Sequence, residues 1–338
     1  MSDCIRNRAT LACLCLGALG GILINASDLQ GNPNSHDIAT FSIVGYDPGA
    51  GELGVAVASR FFAVGSIVPW AKAGIGAVAT QSYANTTFGW RGLNLMQEGK
   101  SPREALDELL SSDDNPERRQ VGIVSADGKS ATHTGSGCLD WAGGRSGPNY
   151  AAQGNILAGE SVVAALEKTF LETKGSLADR LYAALIAADA EGGDSRGKQS
   201  AALIVVKAGA GYGGYTDQAI DIRVDDHAEP FVELGRLLNI AQMSYSWNDA
   251  WTSFTEKRFA EALAPMERAV ALAADNAEAF YDLAVIRLAN DNTDGAMTAL
   301  QKALELNPRL VEQALVDDDL QSLRDRDDFK TLLKSSGN

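Results

Sequence analysis

The sequence predicts an α+β fold, an αββα sandwich of two antiparallel sheets followed by a small all-α domain. Short apolar runs such as "FSIVGY" and "LGVAVAS" flank the turn "DPGAGE", a pattern typical of a β-hairpin. Amphipathic helices are predicted over Glu160 to Glu172 and Leu177 to Ala190, before a closing pair of strands, "SAALIVVKAG" and "AIDIRVDD". Beyond about Leu238 the pattern is entirely helical, so the predicted domains are residues 40–238 and 239–338.

Composition limits the classes of function. The chain has 338 residues, 45% of them hydrophobic, which is enough for two buried cores. Its net charge of -15 argues against nucleic acid or an anionic membrane as partner and leaves small molecules, peptides and proteins. The three histidines are too few and too scattered to predict a metal site, and no cofactor is expected. Homo-oligomer formation stays open.

The first 39 residues have the composition of a targeting segment and a spacer. Arg6 and Arg8 precede an uncharged apolar run from Ala9 to Ile24, which predicts a signal peptide over residues 1–26. The polar stretch over residues 27–39 contains Gly and Pro and is expected to be a cleavable spacer. We therefore expect a periplasmic or extracellular protein, with an uncleaved membrane anchor as the alternative.

Helix-terminus signals and a helical repeat complete the outline. Ser101, Pro102 and Glu104 form a capping-box pattern that predicts the start of a helix. In the second domain, small residues recur at a spacing of 34 positions, in the pairs Ala250/Ala284, Ala262/Ala296 and Ala269/Ala303. This period resembles the tetratricopeptide repeat, whose paired helices commonly dock protein partners. Two repeats are fewer than the roughly three needed for independent stability. The last helices are therefore expected to cap the repeats, or the repeats are expected to pack against the first domain.

Thr40 stands at the junction between the spacer and the first predicted strand. A threonine hydroxyl is a weak nucleophile, but an N-terminal threonine carries its own base, an α-amine with a pKa near 7.7–8.0. Cleavage of the Ala39–Thr40 bond would therefore place a nucleophile and a base on one residue. The alternative is that Thr40 merely begins a strand, as threonines often do.

Several segments carry a resemblance to a known family. The segments "TFSIVGYDPGAGELGVAVASRFFAVGSIVPWAKAGIGAVATQSYAN", "HTGSGCLDWAGG", "YAAQGNILAG", "EGGDSRGKQSAALIVV" and "IDIRVDDHAEPFVELGRLL" resemble domain-of-unknown-function family 1028 of bacteria and archaea. That family is placed with the proteasome β subunits in the N-terminal-nucleophile (Ntn) hydrolase superfamily. The resemblance covers residues 40–238 and implies amide hydrolysis. Some members carry a peptidoglycan-binding domain, which suggests cell-wall amides, but here helical repeats take its place and weaken that suggestion.

The resemblance implies catalytic roles for Thr40, Lys72 and Asp194, with Arg60 as a supporting residue. Thr40 would be the nucleophile, Arg60 would close the second strand, and Lys72 would lower the barrier for Thr40. The acid that precedes this arginine in the proteasome is replaced by Ala58 and Ser59. This departure weakens the proteasome-type role of Lys72, whose alternative is an ordinary surface lysine.

Two Gly-rich segments are similar to those that hold the free amine in the superfamily. Asp194, with Ser195 or Ser200, is the expected contact in "GGDSRGKQS", and Asn155 in "QGNILAG" would lie across from it. The alternative is that both segments are plain Gly-rich turns.

An oxyanion hole is expected from the backbone N–H groups of Thr80, Gln81 and Ser82, just after the strand that follows Lys72.

Two hypotheses for the whole protein follow. The first is an exported Ntn-type amidohydrolase acting on an amide or peptide through Thr40. The second is an inactive Ntn-fold scaffold whose repeats dock a protein partner.

Overall fold

A computed structural model describes residues 40–336, so the predicted signal peptide and spacer lie outside the described residues. The strands within this range are β1 (Thr40–Asp47), β2 (Glu52–Ser59), β3 (Pro69–Lys72), β4 (Gly76–Ser82), β5 (Arg119–Ser125), β6 (Ser130–Thr134), β7 (Gly143–Gly147), β8 (Tyr150–Asn155), β9 (Ser200–Val206) and β10 (Gln218–Val224).

The strands form two antiparallel sheets. The larger sheet has the order β10-β9-β2-β1-β8-β7 and the smaller has the order β3-β4-β5-β6. The predicted hairpin is present, because β1 and β2 pair in continuous antiparallel register from Thr40↔Ser59 to Asp47↔Glu52. As a result β1 lies in the middle of the larger sheet, between β2 and β8.

Helices cover the outer face of each sheet. They are α1 (Thr87–Gln97), α2 (Pro102–Ser111), α3 (Glu160–Glu172) and α4 (Leu177–Ala190). Helices α3 and α4 pack on the larger sheet, while α1 and α2 pack on the smaller one. The predicted capping box at the start of α2 is formed by Ser101 and Glu104. The predicted αββα sandwich is confirmed.

Strand alternation decides which side chains of β1 lie between the sheets. Successive side chains of a strand point to opposite faces. Phe41 and Ile43 therefore pack against α3 and α4, while Val44 packs in the core between the sheets. By the same alternation Thr40 and Ser42 share the face of Val44. The sequence of this strand thus places two hydroxyl groups in the layer between the sheets.

The C-terminal part is helical, as predicted. It consists of α5 (Pro230–Thr255), α6 (Phe259–Leu272), α7 (Ala277–Ala289), α8 (Thr293–Leu306), α9 (Leu310–Val316) and α10 (Asp327–Ser336). All six alanines of the 34-residue pattern are fully buried, which lets the helices pack closely. Helix α5 is continuous through Leu238, the predicted boundary between the two domains. Of residues 40–336, no helix is both long and apolar enough to span a membrane.

Candidate functional site

Thr40 is the first residue of β1 and is fully buried. Its register neighbours are Ser59 on β2 and Asn155 on β8. The Oγ1 of Thr40 donates a hydrogen bond to the Oγ of Ser59 at 3.2 Å. Its carbonyl oxygen accepts a hydrogen bond from Nε2 of Gln81, in the opposite sheet, at 3.1 Å. Both sheets therefore fix the position of Thr40.

Thr40 belongs to a polar cluster between the sheets. One half of the inter-sheet layer is apolar and includes Val44, Leu53 and Val55. The other half is polar, although each of its residues is at most 1% exposed: Thr40, Ser42, Ser59, Gln81, Gln120, Gln153 and Asn155. Burying polar groups is unfavourable unless they are hydrogen-bonded, so this cluster depends on its internal bonds.

Gln120 is the centre of the polar cluster. Its Oε1 accepts hydrogen bonds from Nε2 of Gln81 and from Nδ2 of Asn155, both at 2.9 Å. Its Nε2 donates to the carbonyl of Gly154 at 2.7 Å and to Oγ1 of Thr134 at 2.9 Å. One carboxamide therefore joins β5 of the smaller sheet to β8 of the larger one.

Gln153 and Ser42 extend the cluster along β1. Nε2 of Gln153 donates to Oγ of Ser42 at 2.7 Å, and the Ser42 hydroxyl donates to Oε1 of Gln81. The contacts form a chain from Gln153 through Ser42 and Gln81 to the carbonyl of Thr40. Because these partners are buried carboxamides and hydroxyls, the surroundings of Thr40 are polar but uncharged.

Gly122 on β5 has no side chain, which leaves room for the Gln153 carboxamide. A Cβ at this position would lie 2.0 Å from Oε1 of Gln153. We expect Gly122→Ala to displace Gln153 from Ser42 and to lower the free energy of unfolding by about 1–3 kcal/mol, measured by urea denaturation. Gly159→Ala is the control, because a Cβ there meets nothing within 4 Å, and it should cost less than about 1 kcal/mol. Equal effects would contradict the prediction.

Asp194 lies near the end of β2, but its carboxylate is occupied by other groups. Oδ2 accepts from the backbone N–H of Arg60 at 2.8 Å, and Oδ1 accepts from the backbone N–H of Arg196 at 2.9 Å. The Arg196 guanidinium also contacts both oxygens. The structure therefore brings Asp194 next to the residue that follows Ser59, without a hydrogen bond to Thr40.

Two of the other residues expected around the amine, Arg60 and Ser200, form contacts near the end of β2. Nη1 of Arg60 donates to the carbonyl of Arg196 at 2.6 Å. The Ser200 hydroxyl donates to the carbonyl of Phe61 and accepts from the N–H of Val64 at 3.2 Å. Ser195 is exposed, and its N–H donates to a backbone carbonyl. The contacts of Arg60 and Ser200 fix the chain after β2. Of the residues predicted to hold the amine, Asn155 alone is the direct strand neighbour of Thr40.

The structure does not bring Lys72 to Thr40. Lys72 ends β3 opposite Gly76, and its Nζ donates to Oε1 of Gln97 at 2.7 Å on the surface. Gln81, which contacts Thr40, lies five residues further along β4, roughly 16 Å at the usual strand rise. The resemblance-based role of Lys72 beside the nucleophile is therefore not supported by its position, which fits the alternative of a surface lysine.

The expected oxyanion hole is also arranged differently. The N–H of Thr80 donates to the carbonyl of Val68 at 3.2 Å, so it is not free to bind an oxyanion. Gln81 approaches Thr40 through its side-chain amide rather than its backbone. Ser82 is buried and adopts a left-handed conformation with φ of 66°.

Thiol chemistry and metal binding would each need groups other than those around Thr40. Burial raises the pKa of the Cys138 thiol, which disfavours the reactive thiolate. In the range 40–336, no three His, Cys, Asp or Glu side chains converge as a metal-binding group. The groups that the described residues place around Thr40 are hydroxyls and carboxamides.

Three of the seven residues of the polar cluster were not predicted from the sequence. Ser42, Gln120 and Gln153 were not singled out, and Ser59 was noted only as a replacement for an acid. The available signal was a polar residue at an inward position of a strand whose other inward positions are apolar or small, as in "RQVGIVS", where Gln120 shares its face with Val124.

Comparisons with known proteins agree with this architecture. The model of a family of unknown function, DUF1028, matches residues 40–234, and a tetratricopeptide-repeat model matches residues 253–316. The chain is similar to the crystal structure of protein SPO2555 from Silicibacter pomeroyi, of the same family, at 30% identity and a TM-score of 0.55. That match covers 60% of this chain and 89% of the other. No curated protein matches significantly. The chain therefore belongs to the DUF1028 family and carries tetratricopeptide repeats after the family domain.

Proposed function

We propose that the protein is an exported Ntn-type amidohydrolase that acts on an amide or peptide bond through Thr40 after residues 1–39 are removed. The observation that carries the proposal is the environment of Thr40. It begins a central strand of an αββα sandwich, is fully buried, and is held by Ser59 on its hydroxyl and Gln81 on its carbonyl. A hydroxyl held in this way has a defined position for attack on a carbonyl.

Removal of the N-terminal segment can use the same hydroxyl. In this step Oγ1 of Thr40 adds to the carbonyl carbon of Ala39, and the C–N bond breaks as the nitrogen takes up the hydroxyl proton. The resulting ester is hydrolysed by water, which releases the carboxylate of Ala39 and regenerates the hydroxyl. The product is a free α-amine on Thr40, with a pKa of about 7.7–8.0 in an unperturbed chain.

Turnover would then use the amine as base. The α-amine accepts the hydroxyl proton while Oγ1 attacks the substrate carbonyl, and it returns the proton to the leaving amine. The acyl group on Oγ1 is removed by water in a second step. Ser59, at 3.2 Å from Oγ1, orients the hydroxyl, and Asp194 acts as a positioning residue because it holds the amide of Arg60, next to Ser59.

The mature N-terminus tests the proposal directly. We expect intact-mass and N-terminal peptide mass spectrometry of the protein from its native host to show a chain that begins at Thr40. Signal-peptide removal alone would give a chain that begins at Ser27. A mature protein that begins at Ser27 and keeps the spacer would overturn the mechanism.

A second candidate function is an inactive scaffold of the same fold. It is favoured by the absence of a charged partner, because no lysine or carboxylate of residues 40–336 hydrogen-bonds the Thr40 hydroxyl. The tetratricopeptide repeats would then carry the function by binding a protein partner. An electrophile that acylates N-terminal threonine distinguishes the two, since labelling at Thr40 supports the enzyme and an unlabelled, processed chain supports the scaffold.

A further inference from the structure

A cavity of about 550 Å³ lies where the sandwich meets the repeats. The turn between β1 and β2, the start of α4 and the helices α5 and α6 contribute its walls. Its polar lining includes Asp47, Glu52, Asp179, Gln242, Tyr245 and Arg268. The volume falls within the usual range for small-molecule sites, about 300–1,000 Å³.

This cavity is separate from the site at Thr40. Thr40 and Asp47 are the two ends of β1, roughly 23 Å apart at the usual strand rise. In addition, Thr40 faces the layer between the sheets, whereas Glu52 shares the strand face of Ala56 and Ala58, which pack against α3 and α4. A ligand in the cavity would therefore not touch the polar cluster.

Glu52 is the buried charge of the cavity. It is only 8% exposed, and burial raises the pKa of its carboxyl group. The carboxylate accepts a hydrogen bond from the backbone N–H of Leu177, and Lys207 and Arg268 attract it, but neither cation forms an ion pair with it within the described part of the chain. A buried carboxylate without a close cation is costly, and a cationic group of a ligand would relieve that cost.

The other two carboxylates of the cavity already have close partners. Asp47 accepts the backbone N–H of Gly49 at 2.9 Å and lies 3.7 Å from the Arg180 guanidinium. Asp179 accepts Nε2 of Gln242 at 2.7 Å and caps its own helix. Asp47 and Asp179 are also less buried than Glu52, so Glu52 is the carboxylate with the strongest need for a counter-ion.

A second observation points to a ligand at the same place. Ser246 lines the cavity, is 3% exposed, and its Oγ has no hydrogen-bond partner among the described residues. Nearly all buried polar side chains in folded proteins have a partner, so an unpartnered hydroxyl is an unusual feature. Next to it, burial raises the pKa of Tyr245 to about 12, which keeps the phenol neutral and able to donate or accept.

Arg268 supplies the opposite charge. It lines the cavity from α6, and its side chain is exposed, which places it at the opening. No carboxylate within residues 40–336 forms an ion pair with it. The cavity thus has an inner carboxylate and an outer guanidinium, and guanidinium groups bind carboxylates with two parallel hydrogen bonds.

We propose that this cavity binds a zwitterionic small molecule, a free amino acid or a short peptide. The ammonium group of the ligand lies against Glu52, and its carboxylate lies against Arg268. Ser246 and Tyr245 offer hydrogen-bonding groups to the part between the two charges. Each charge of the ligand meets an opposite charge of the protein, so neither needs to be buried alone.

Isothermal titration calorimetry with the full-length protein tests this proposal. The probes are the free amino acids and a set of dipeptides with small, apolar, polar and charged side chains, up to millimolar concentrations. We expect saturable binding of at least one probe. Its N-acetylated and C-terminally amidated forms should each bind at least about tenfold more weakly, because each lacks one charge. No binding by any probe, or equal binding of the blocked forms, would overturn the proposal.

Charge-removing variants connect the binding to this cavity. Glu52→Gln and Arg268→Gln should each weaken the best probe at least about tenfold, while the exposed controls Glu312→Gln and Arg309→Gln should not. Because the pKa of Glu52 is raised, its ionised form opposes folding above that pKa, so Glu52→Gln should melt at a higher temperature without ligand. Thr40→Ala should bind the best probe as tightly as the unaltered chain, because the cavity is separate from the site at Thr40. Unchanged binding by Glu52→Gln would place the ligand elsewhere.

Discussion

Replacing Thr40 with alanine should leave the Ala39–Thr40 bond intact and abolish acylation by an amine- or hydroxyl-directed electrophile at this position. Any amidase activity should fall by on the order of 10⁴ to 10⁶, because loss of a covalent nucleophile removes the reaction path itself. Thr40→Ser keeps the hydroxyl and should still be cut, although the missing methyl group loosens its placement. Intact-mass spectrometry before and after labelling measures both effects.

A matched control separates the chemistry from the fold. Ser130→Ala removes another partly buried hydroxyl of the sandwich, one that donates to the carbonyl of Gly147 at 2.7 Å rather than to any group of Thr40 or of the polar cluster. This variant should be cut at the normal position. If Thr40→Ala is cut or labelled as well as the unaltered chain, the nucleophile lies elsewhere and the proposed function is wrong.

Replacing Gln120 with leucine should lower the free energy of unfolding by about 2–5 kcal/mol. Nδ2 of Asn155 and the carbonyl of Gly154 would lose their partner in a buried layer, and each unsatisfied group costs about 1–3 kcal/mol. Urea denaturation followed by tryptophan fluorescence measures the loss. Since Asn155 and Gln81 flank Thr40, the same change should also slow the cut before Thr40.

The control for this variant is Gln301→Leu on α8. Gln301 is exposed and bonds only the side chain of Glu305 within the described residues, so the change should stay within about 0.5 kcal/mol. If Gln120→Leu were as mild as Gln301→Leu, the polar cluster would not be a determinant of stability. Its proposed role in holding Thr40 would then lose its main support.

The position of Lys72 on the surface agrees with a departure of this sequence from the proteasome pattern. In the proteasome pattern an acid stands before the arginine of the second strand, whereas this chain has Ala58 and Ser59 there. The structure places Ser59 on the Thr40 hydroxyl and Lys72 on Gln97 at the surface. An uncharged serine and a set of carboxamides therefore occupy the surroundings in which the resemblance implied charged groups.

Much of the local structure could be predicted from the sequence. The helices Glu160–Glu172 and Leu177–Ala190, the capping box at Ser101 and the first hairpin depend on nearby residues: apolar spacing, a side-chain cap and turn residues. Membership of the family also lies in the sequence, because its quoted segments extend through most of the first domain. These features require no knowledge of which strands face each other.

The composition of the site required the tertiary structure. Gln81 and Gln120 meet Thr40 and Asn155 only because the two sheets stack in one register, with contacts between residues 41 and 35 positions apart. Sequence spacing gives the face of each strand but not which end of the opposite sheet it meets, so it could not show that the side chain of Gln81, and not Lys72, contacts Thr40. The chain by itself determined its elements, its repeats and a threonine at the first strand. Long-range packing alone decided that carboxamides, rather than a lysine and an aspartate, surround that threonine.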